Sequence, residues 1–112
     1  MKQFDIWWAD LPRPVGRRPV LLLSRNEAYE VLNEILVADV TTVIRKIPVE
    51  VVMTPAEGVP RRCAVNLDNI RTIPKSILAQ RITRLPPPRH GELKRALGFA
   101  LGWDELIGDE DG

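Results

Sequence analysis

The sequence contains very few of the residues on which most metal and thiol chemistry depends. Its 112 residues include one cysteine, Cys63, and one histidine, His90. These counts exclude a Cys/His zinc site, a disulfide framework and a CxxC redox pair. No glycine-rich phosphate loop, HExxH or GxSxG motif is present either. We therefore expect neither a metal ion nor another cofactor.

Long apolar runs are also missing. No run approaches the roughly 18 residues that a transmembrane helix requires. The first ten residues do not resemble a signal peptide, because Asp5 and Asp10 interrupt any apolar segment. These features predict a cytosolic protein without a membrane segment.

The formal net charge of +1 conceals an uneven distribution. Residues 103–112 carry five acidic side chains and no basic one, so residues 1–102 have a net charge of +6. A cationic body favours polyanionic partners, although scattered surface arginines are a simpler explanation of the same count. Residues 109–112 are predicted to form an acidic tail.

Short apolar runs separated by turn residues dominate the chain as far as residue 85. They predict a mainly β protein, a small barrel or sandwich, and the run 19–24 is apolar enough to be buried on both faces. Residues 26–33 are expected to form a loop with one helical turn, and residues 68–72 a tight connection. The predicted strands are Phe4–Asp10, Pro19–Ser24, Glu34–Thr42, Pro48–Met53, Cys63–Leu67 and Ser76–Thr83.

The periodicity changes after Pro86-Pro87-Pro88. Leu93, Leu97 and Leu101 recur on one face of a helix, which predicts a terminal helix at about 88–102 after a barrel at about 3–85. We interpret residues 1–108 as a single domain. Trp103 is expected to pack back onto the barrel, since large aromatic side chains are usually mostly buried. His90 is predicted to be a surface or capping residue, and Cys63 a small buried apolar residue.

Arginines, hydroxyls and amides collect at the predicted strand ends. Guanidinium groups pair with phosphate oxygens, while hydroxyls and amides bond phosphate, sugar or base edges. Each residue taken alone also has an ordinary structural explanation, such as β propensity for the threonines and a surface ion pair for Arg18.

Five segments, taken in order, resemble one protein family. FDIWWADL, GRRPVLLLS, VADVTT, PVEVVM and DNIRTIPKSIL are similar to the corresponding motifs of MazF/PemK-type toxins from bacterial toxin–antitoxin modules. The resemblance implies an SH3-like, strongly bent β-barrel with a C-terminal helix, assembled as a homodimer. It also implies a metal-independent endoribonuclease that cuts single-stranded RNA at short sequence motifs.

The resemblance places the catalytic arginine of the RPV motif on Arg18 and the catalytic threonine on Thr41. A shift of one residue would exchange Thr41 for Thr42, so both hydroxyls remain candidates. Metal-free cleavage uses the 2′-hydroxyl of the RNA as nucleophile and requires stabilisation of the developing negative charge. We expect Arg18 to clamp the phosphate and to be a candidate proton donor to the leaving oxygen. The other residues expected to bind RNA are Arg13, Arg17, Ser24, Asn26, Thr42, Arg45, Asn69 and Arg71.

Two segments depart from the family pattern. The stretch between the first strand and Arg18 is shorter and more basic than usual, so the cleavage motif is not transferable. Pro74 stands where the family often has an acidic residue.

The resemblance also implies a cognate antitoxin, whose acidic segment would compete with RNA for Arg17 and Arg18. Two alternatives stay open. One is a non-catalytic toxin of the CcdB type, which poisons gyrase, and the other is a degenerate relative that only binds RNA.

Overall fold

A computed structural model describes residues 1–107, in which a curled antiparallel sheet is covered on one face by a helix. The predicted mainly β fold with a bent barrel and a terminal helix is confirmed. The predicted acidic tail, 109–112, lies outside the described residues. The sheet has the order β4-β5-β3-β2-β1-β6. Its strands are β1 (Asp5–Asp10), β2 (Arg17–Leu22), β3 (Glu34–Thr41), β4 (Glu50–Met53), β5 (Cys63–Pro74) and β6 (Leu78–Arg84).

Within residues 1–107, three helices accompany the sheet. α1 (Ala28–Val31) is the single helical turn expected in the loop after β2, and α2 (His90–Leu101) is the expected terminal helix. α3 (Asp104–Ile107) follows it. Short 3-10 turns occupy Pro55–Glu57, Lys75–Ile77 and Pro87–Arg89. None of the helices in residues 1–107 has both the length and the apolar character needed to cross a membrane.

The strand β2 lies near the middle of the sheet and is buried on both of its faces, as predicted. Leu21 belongs to a core cluster that α2 covers, whereas Val20 and Leu22 belong to a second cluster on the other face. Successive side chains of a strand point to opposite faces, so an uninterrupted apolar run indicates a strand with two covered faces. The PVLLL run therefore fixes β2 between two cores.

The predicted break after Leu67 is wrong, because β5 continues without interruption from Cys63 to Pro74. Its pairing with β3 shifts at one point, where Ala38 pairs with Ile70 but Asp39 pairs with Asn66. The extra residues form a bulge, which the buried Asn66 side chain stabilises by accepting a bond from the Asp68 N–H at 2.9 Å. A bulge contains the polar residues of a turn without ending the strand, and it bends the sheet.

The prediction for Trp103 is also wrong, since 56% of this residue is exposed. Gly102 ends α2 in the left-handed conformation, with φ +71°. α3 then folds back onto α2 at Gly98, where an added Cβ would lie 2.6 Å from the Cβ of Leu106. Leu106 therefore packs closely against the end of the helix, while the indole of Trp103 stays at the surface.

The connection between β4 and β5 is anchored to the rest of the molecule through Glu57. Its carboxylate accepts the Thr54 N–H at 3.1 Å and pairs with the guanidinium of Arg89. Burial alone would lower the pKa of Arg89, but its bonds to Glu57 and Glu92 raise that pKa overall. The Glu57 carbonyl oxygen accepts the Thr83 hydroxyl at 2.9 Å. The connection is thus tied both to β6 and to the start of α2.

Gly58 provides a test of this anchor. It has φ +101°, and an added Cβ would lie 2.5 Å from Oγ1 of Thr83. Gly58→Ala is expected to lower the free energy of unfolding by about 2–3 kcal/mol, through backbone strain and the clash together. Gly102→Ala is the matched control, because it has positive φ but open space around it, and should cost about 1 kcal/mol. Urea denaturation measures both values, and equal losses would contradict the close packing of Gly58 against Thr83.

Candidate functional site

A cavity of about 340 Å³ opens between the ends of β2 and β3 and the connection from β4 to β5. Four residues singled out in the sequence, two arginines and two threonines, meet there. The cavity is lined by Trp8, Arg17, Arg18, Pro19, Val40, Thr41, Thr42, Val59, Pro60, Arg61 and Cys63.

The register between β2 and β3 determines which threonine faces Arg18. Val20 pairs with Asp39, Leu21 with Ala38 and Leu22 with Val37. Extending this antiparallel register by two residues puts Arg18 opposite Thr41. Directly opposed residues in an antiparallel pair project from the same face, whereas their chain neighbours project from the other. By this register Thr41, the last residue of β3, lies level with Arg18, while Thr42 follows the strand.

Pro19 marks the point where β2 and β3 separate. The pairing between the strands ends at Val20, and Pro19, the preceding residue, has no N–H to donate to a ladder. On the other side of β2 the pairing continues, with Trp8 opposite Pro19 and Ala9 opposite Arg18. Arg18 is therefore held by β1 while the β3 side is open, which leaves space beside its side chain.

The two arginines at the start of β2 differ in whether a carboxylate neutralises their charge. Arg17 pairs with Asp10, with an Nε to Oδ1 distance of 2.9 Å, although both side chains are more than half exposed. An exposed ion pair of this kind is worth at most about 1 kcal/mol. Arg18 instead donates its Nε–H to the carbonyl oxygen of Val15 at 3.3 Å and has no carboxylate partner within residues 1–107. Its positive charge is available to an anion.

The Thr41 hydroxyl has a fixed position and a proton to donate. Its Oγ1 accepts the backbone N–H of Val43 at 3.0 Å, which holds the oxygen at the end of β3. A hydroxyl that accepts one bond can still donate its own proton. Thr42 also lines the cavity but is more exposed.

Neither Cys63 nor His90 is placed as a reactive group. Cys63 is buried, as predicted, and burial raises the pKa of its thiol, with a smaller contribution from the Glu57 carboxylate. The thiol is therefore protonated at neutral pH and is a poor nucleophile. His90 packs its ring against Phe4 at a centroid distance of 4.5 Å, and its Nε2 lies 2.9 Å from the Leu85 carbonyl oxygen. It helps to fasten the start of α2 to the sheet.

Ser24 and Asn26 lie away from the cavity, beyond the opposite end of β2. Ser24 is six positions along the chain from Arg18, which corresponds to about 20 Å along an extended strand. The Ser24 hydroxyl accepts the Leu36 N–H at 2.8 Å, and the Asn26 side chain accepts the Gln3 N–H at 2.7 Å. Both side chains hold the local backbone.

Four further residues expected to bind RNA do not line the cavity. Asn69 is in the bulge of β5, and Arg71 pairs with Asp39 at 3.0 Å. Both residues belong to a strand and not to the tight connection predicted at 68–72. Arg13 is exposed in the turn between β1 and β2. Arg45 is exposed after β3, in a segment whose backbone bonds to the buried Glu50.

Trp8 and Arg61 line the cavity although neither was predicted as a site residue. Trp8 stands among the apolar residues of β1, where the pattern indicates a strand and nothing more. Arg61 belongs to a basic pair, Arg61-Arg62, directly after a proline. This doublet resembles Arg17-Arg18 in composition, and it was the available signal that the segment carries positive charge.

The described lining of the cavity contains guanidinium groups, hydroxyls and apolar side chains, and it contains no carboxylate or imidazole. Guanidinium and hydroxyl donors together bind phosphate oxygens, and an aromatic side chain can stack on a base. The arrangement suits a phosphodiester with a base attached. It can also stabilise extra negative charge on phosphorus oxygens.

Comparison with known proteins gives a consistent result. Residues 2–101 match the family described as PemK-like, MazF-like toxin of type II toxin-antitoxin system. The "Probable endoribonuclease MazF5" of Mycobacterium tuberculosis is 40% identical over 98 residues, which cover 87% of this chain and 89% of the relative.

Two solved structures are similar in fold. "Mycobacterium tuberculosis toxin MazF-mt6" superposes with a TM-score of 0.82 and 32% identity, covering 89% of this chain and 98% of that one. An "Endoribonuclease in complex with its cognate antitoxin from Mycobacterial species" superposes with a TM-score of 0.80 and 28% identity, covering 91% and 95%. The protein thus belongs to the PemK-like, MazF-like toxins of type II toxin–antitoxin systems, which confirms the family resemblance seen in the sequence.

Proposed function

We propose that this protein is a toxin that cleaves single-stranded RNA at the cavity between β2 and β3. The observation that carries the proposal is that Arg18 and Thr41 line one cavity and that the β2–β3 register, extended two residues past Val20, puts them level with each other. Arg18 has no carboxylate partner within residues 1–107. Relatives that bear the name endoribonuclease support the same activity. The substrate is a cytosolic RNA.

The proposed reaction is an internal transesterification. The 2′-oxygen of the RNA bonds to the adjacent phosphorus as the bond from phosphorus to the 5′-oxygen breaks. The 2′-hydroxyl loses its proton to solvent and the leaving 5′-oxygen gains one, so the products are a cyclic phosphate and a 5′-hydroxyl. Negative charge grows on the phosphate oxygens during this step, and preorganised donors stabilise it.

Arg18 supplies the charge and Thr41 supplies a directed hydrogen bond in this reaction. A guanidinium offers N–H donors and no acceptor, so Arg18 acts as a donor and not as a general base. It bonds the phosphate and is placed to donate to the leaving oxygen. Thr41 donates to a phosphate oxygen, while Arg17 and Thr42 contact the substrate at the edge of the cavity.

We propose a cognate antitoxin as the partner that silences this site. A related endoribonuclease has been solved in complex with its own antitoxin. An acidic segment fits the described surface, because the cavity lining carries three arginines and no acidic residue. Such a segment would compete with RNA for Arg17 and Arg18.

Arg18→Ala is expected to lower kcat for RNA cleavage by about 10²–10³-fold, because a preorganised donor to the transition state is lost. The measurement is cleavage of a long unstructured RNA with EDTA present, which should leave the wild type active. Arg25→Ala is the matched control, since Arg25 is exposed but follows the far end of β2. Full cleavage by correctly folded Arg18→Ala would exclude the proposed role, and gyrase inhibition without RNA cleavage would favour the CcdB-type alternative.

The roles of the two threonines are distinguished by substituting each with valine, which keeps the shape of the side chain and removes the hydroxyl. Thr41→Val should lower kcat by about 10-fold or more, as expected when one hydrogen bond to a charged group is lost. Thr42→Val should retain kcat within about 2-fold, because Thr42 is more exposed and contacts the substrate only at the edge of the cavity. A larger loss in Thr42→Val would reverse the assignment.

We propose that the protein is a homodimer that covers the apolar surface beside α2. Exposed Leu36, Leu101 and Trp103 flank an apolar groove of about 500 Å³ between the helices and the sheet. Sedimentation at micromolar concentration is expected to give the mass of a dimer, and Leu101→Asp should shift it to a monomer. Val31→Asp, also at an exposed apolar residue but outside the groove, should remain a dimer. A monomeric wild type would contradict the proposal.

A further inference from the structure

Arg61 lines the same cavity as Arg18 but comes from a different element of the fold. The end of the β4–β5 connection contributes Val59, Pro60 and Arg61 to the lining, whereas β2 and β3 contribute Arg18 and Thr41. The next residue, Arg62, is also exposed but does not line the cavity. Two adjacent arginines are therefore presented differently, and one of them is directed to the site.

The segment that carries Arg61 has a fixed position. Val59 is buried in the core cluster under α2, and Glu57 is bound by Thr54, Thr83 and Arg89. Gly58 lies so close to Thr83 that no side chain fits there. Arg61 is only four residues after Glu57, and Cys63, the first residue of β5, is buried two residues after Arg61. A guanidinium on a rigid support loses less freedom when it binds an anion.

The charge of Arg61 is not neutralised within the described part of the chain. Arg17, Arg71 and Arg89 all pair with carboxylates. Arg61 forms no ion pair with a carboxylate of residues 1–107, and the same holds for Arg18. Two unneutralised guanidinium groups in the lining of one cavity favour an anion that lies between or beside them. The cavity thus has more positive charge than one phosphate requires.

We propose that Arg61 binds the phosphate next to the scissile one, so that the cavity grips two consecutive phosphates of the RNA backbone. Arg18 and Thr41 hold the phosphate that reacts, as in the proposed function on which this inference rests. Arg61 would then act on binding and positioning of the strand and would have no part in the bond-breaking step. It would read the backbone and not the base, so it would contribute equally to every RNA sequence.

The test compares Arg61→Gln with Arg62→Gln, which remove the same charge from neighbouring exposed positions. Arg61→Gln should raise KM about 10-fold and keep kcat within about 2-fold, because a charge-assisted bond to bound substrate is lost. Arg62→Gln should behave as the wild type. The dependence of log K on log salt for a single-stranded oligonucleotide should also fall by about 0.7 in Arg61→Gln alone.

Neutral methylphosphonate linkages identify the phosphate that Arg61 contacts. Replacing one linkage adjacent to the scissile phosphate should weaken wild-type binding about 10-fold and leave binding by Arg61→Gln unchanged, since the same contact cannot be lost twice. The proposal is overturned if Arg61→Gln matches Arg62→Gln in KM, or if its loss is confined to kcat.

Binding of an uncleavable oligonucleotide with 2′-deoxyribose throughout separates this inference from the proposed function. A wild type that cleaves no RNA refutes the proposed function. The role of Arg61 fails on a different result, namely equal affinity of Arg61→Gln and Arg62→Gln for that oligonucleotide. Thermal melting of both variants should match the wild type, because both side chains are exposed.

Discussion

The register between β2 and β3 is the constraint on which the candidate site depends. Three pairs, beginning with Val20 opposite Asp39, set the positions of the residues beyond them. Continued in the same register, they bring Arg18 level with Thr41. The hydrogen-bonded pairing of β2 with β3 ends at Val20, next to Pro19, so Arg18 and Thr41 are not themselves paired. A shift of one residue would turn Thr41 to the opposite face. The apolar side chains of β2, buried on both sides, prevent such a shift, so the geometry of the site rests on the core.

The β4–β5 connection links the same core to the other wall of the cavity. Val59 and Cys63 are core residues and cavity residues at once. Glu57 fastens the connection to Arg89, which lies at the start of the terminal helix. The helix therefore does more than cover the sheet, because its ion pair holds the wall that carries Arg61. Damage to this pair should disturb substrate binding before it disturbs the position of Arg18.

The sequence predicted the parts of the fold that depend on regular patterns. Continuous apolar character revealed β2 as a doubly buried strand, and helical spacing located α2 to within about two residues. The bulge of β5 was not predictable, since Asp68 and Asn69 have the composition of a turn and only pairing with β3 keeps the strand extended. The prediction that Trp103 packs onto the barrel was wrong for a related reason. Its exposure depends on how α3 folds back onto Gly98, which is a tertiary contact that no local pattern encodes.

The residue types of the candidate site were predictable from the sequence, but which strand ends come together depends on the direction and pairing of the strands. Composition alone puts the hydroxyls and arginines at strand ends into one group, yet Arg18 lies at the start of β2 and Ser24 beyond its end, so the two cannot serve one phosphate. Thr41 is remote from Arg18 in sequence but lines the same cavity, because antiparallel strands bring the end of one beside the start of the next. Arg61 comes from a third element whose position depends on the anchor at Glu57. With so little histidine and cysteine, this protein has to place guanidinium and hydroxyl groups accurately, and that accuracy comes from sheet register and buried anchors more than from any local motif.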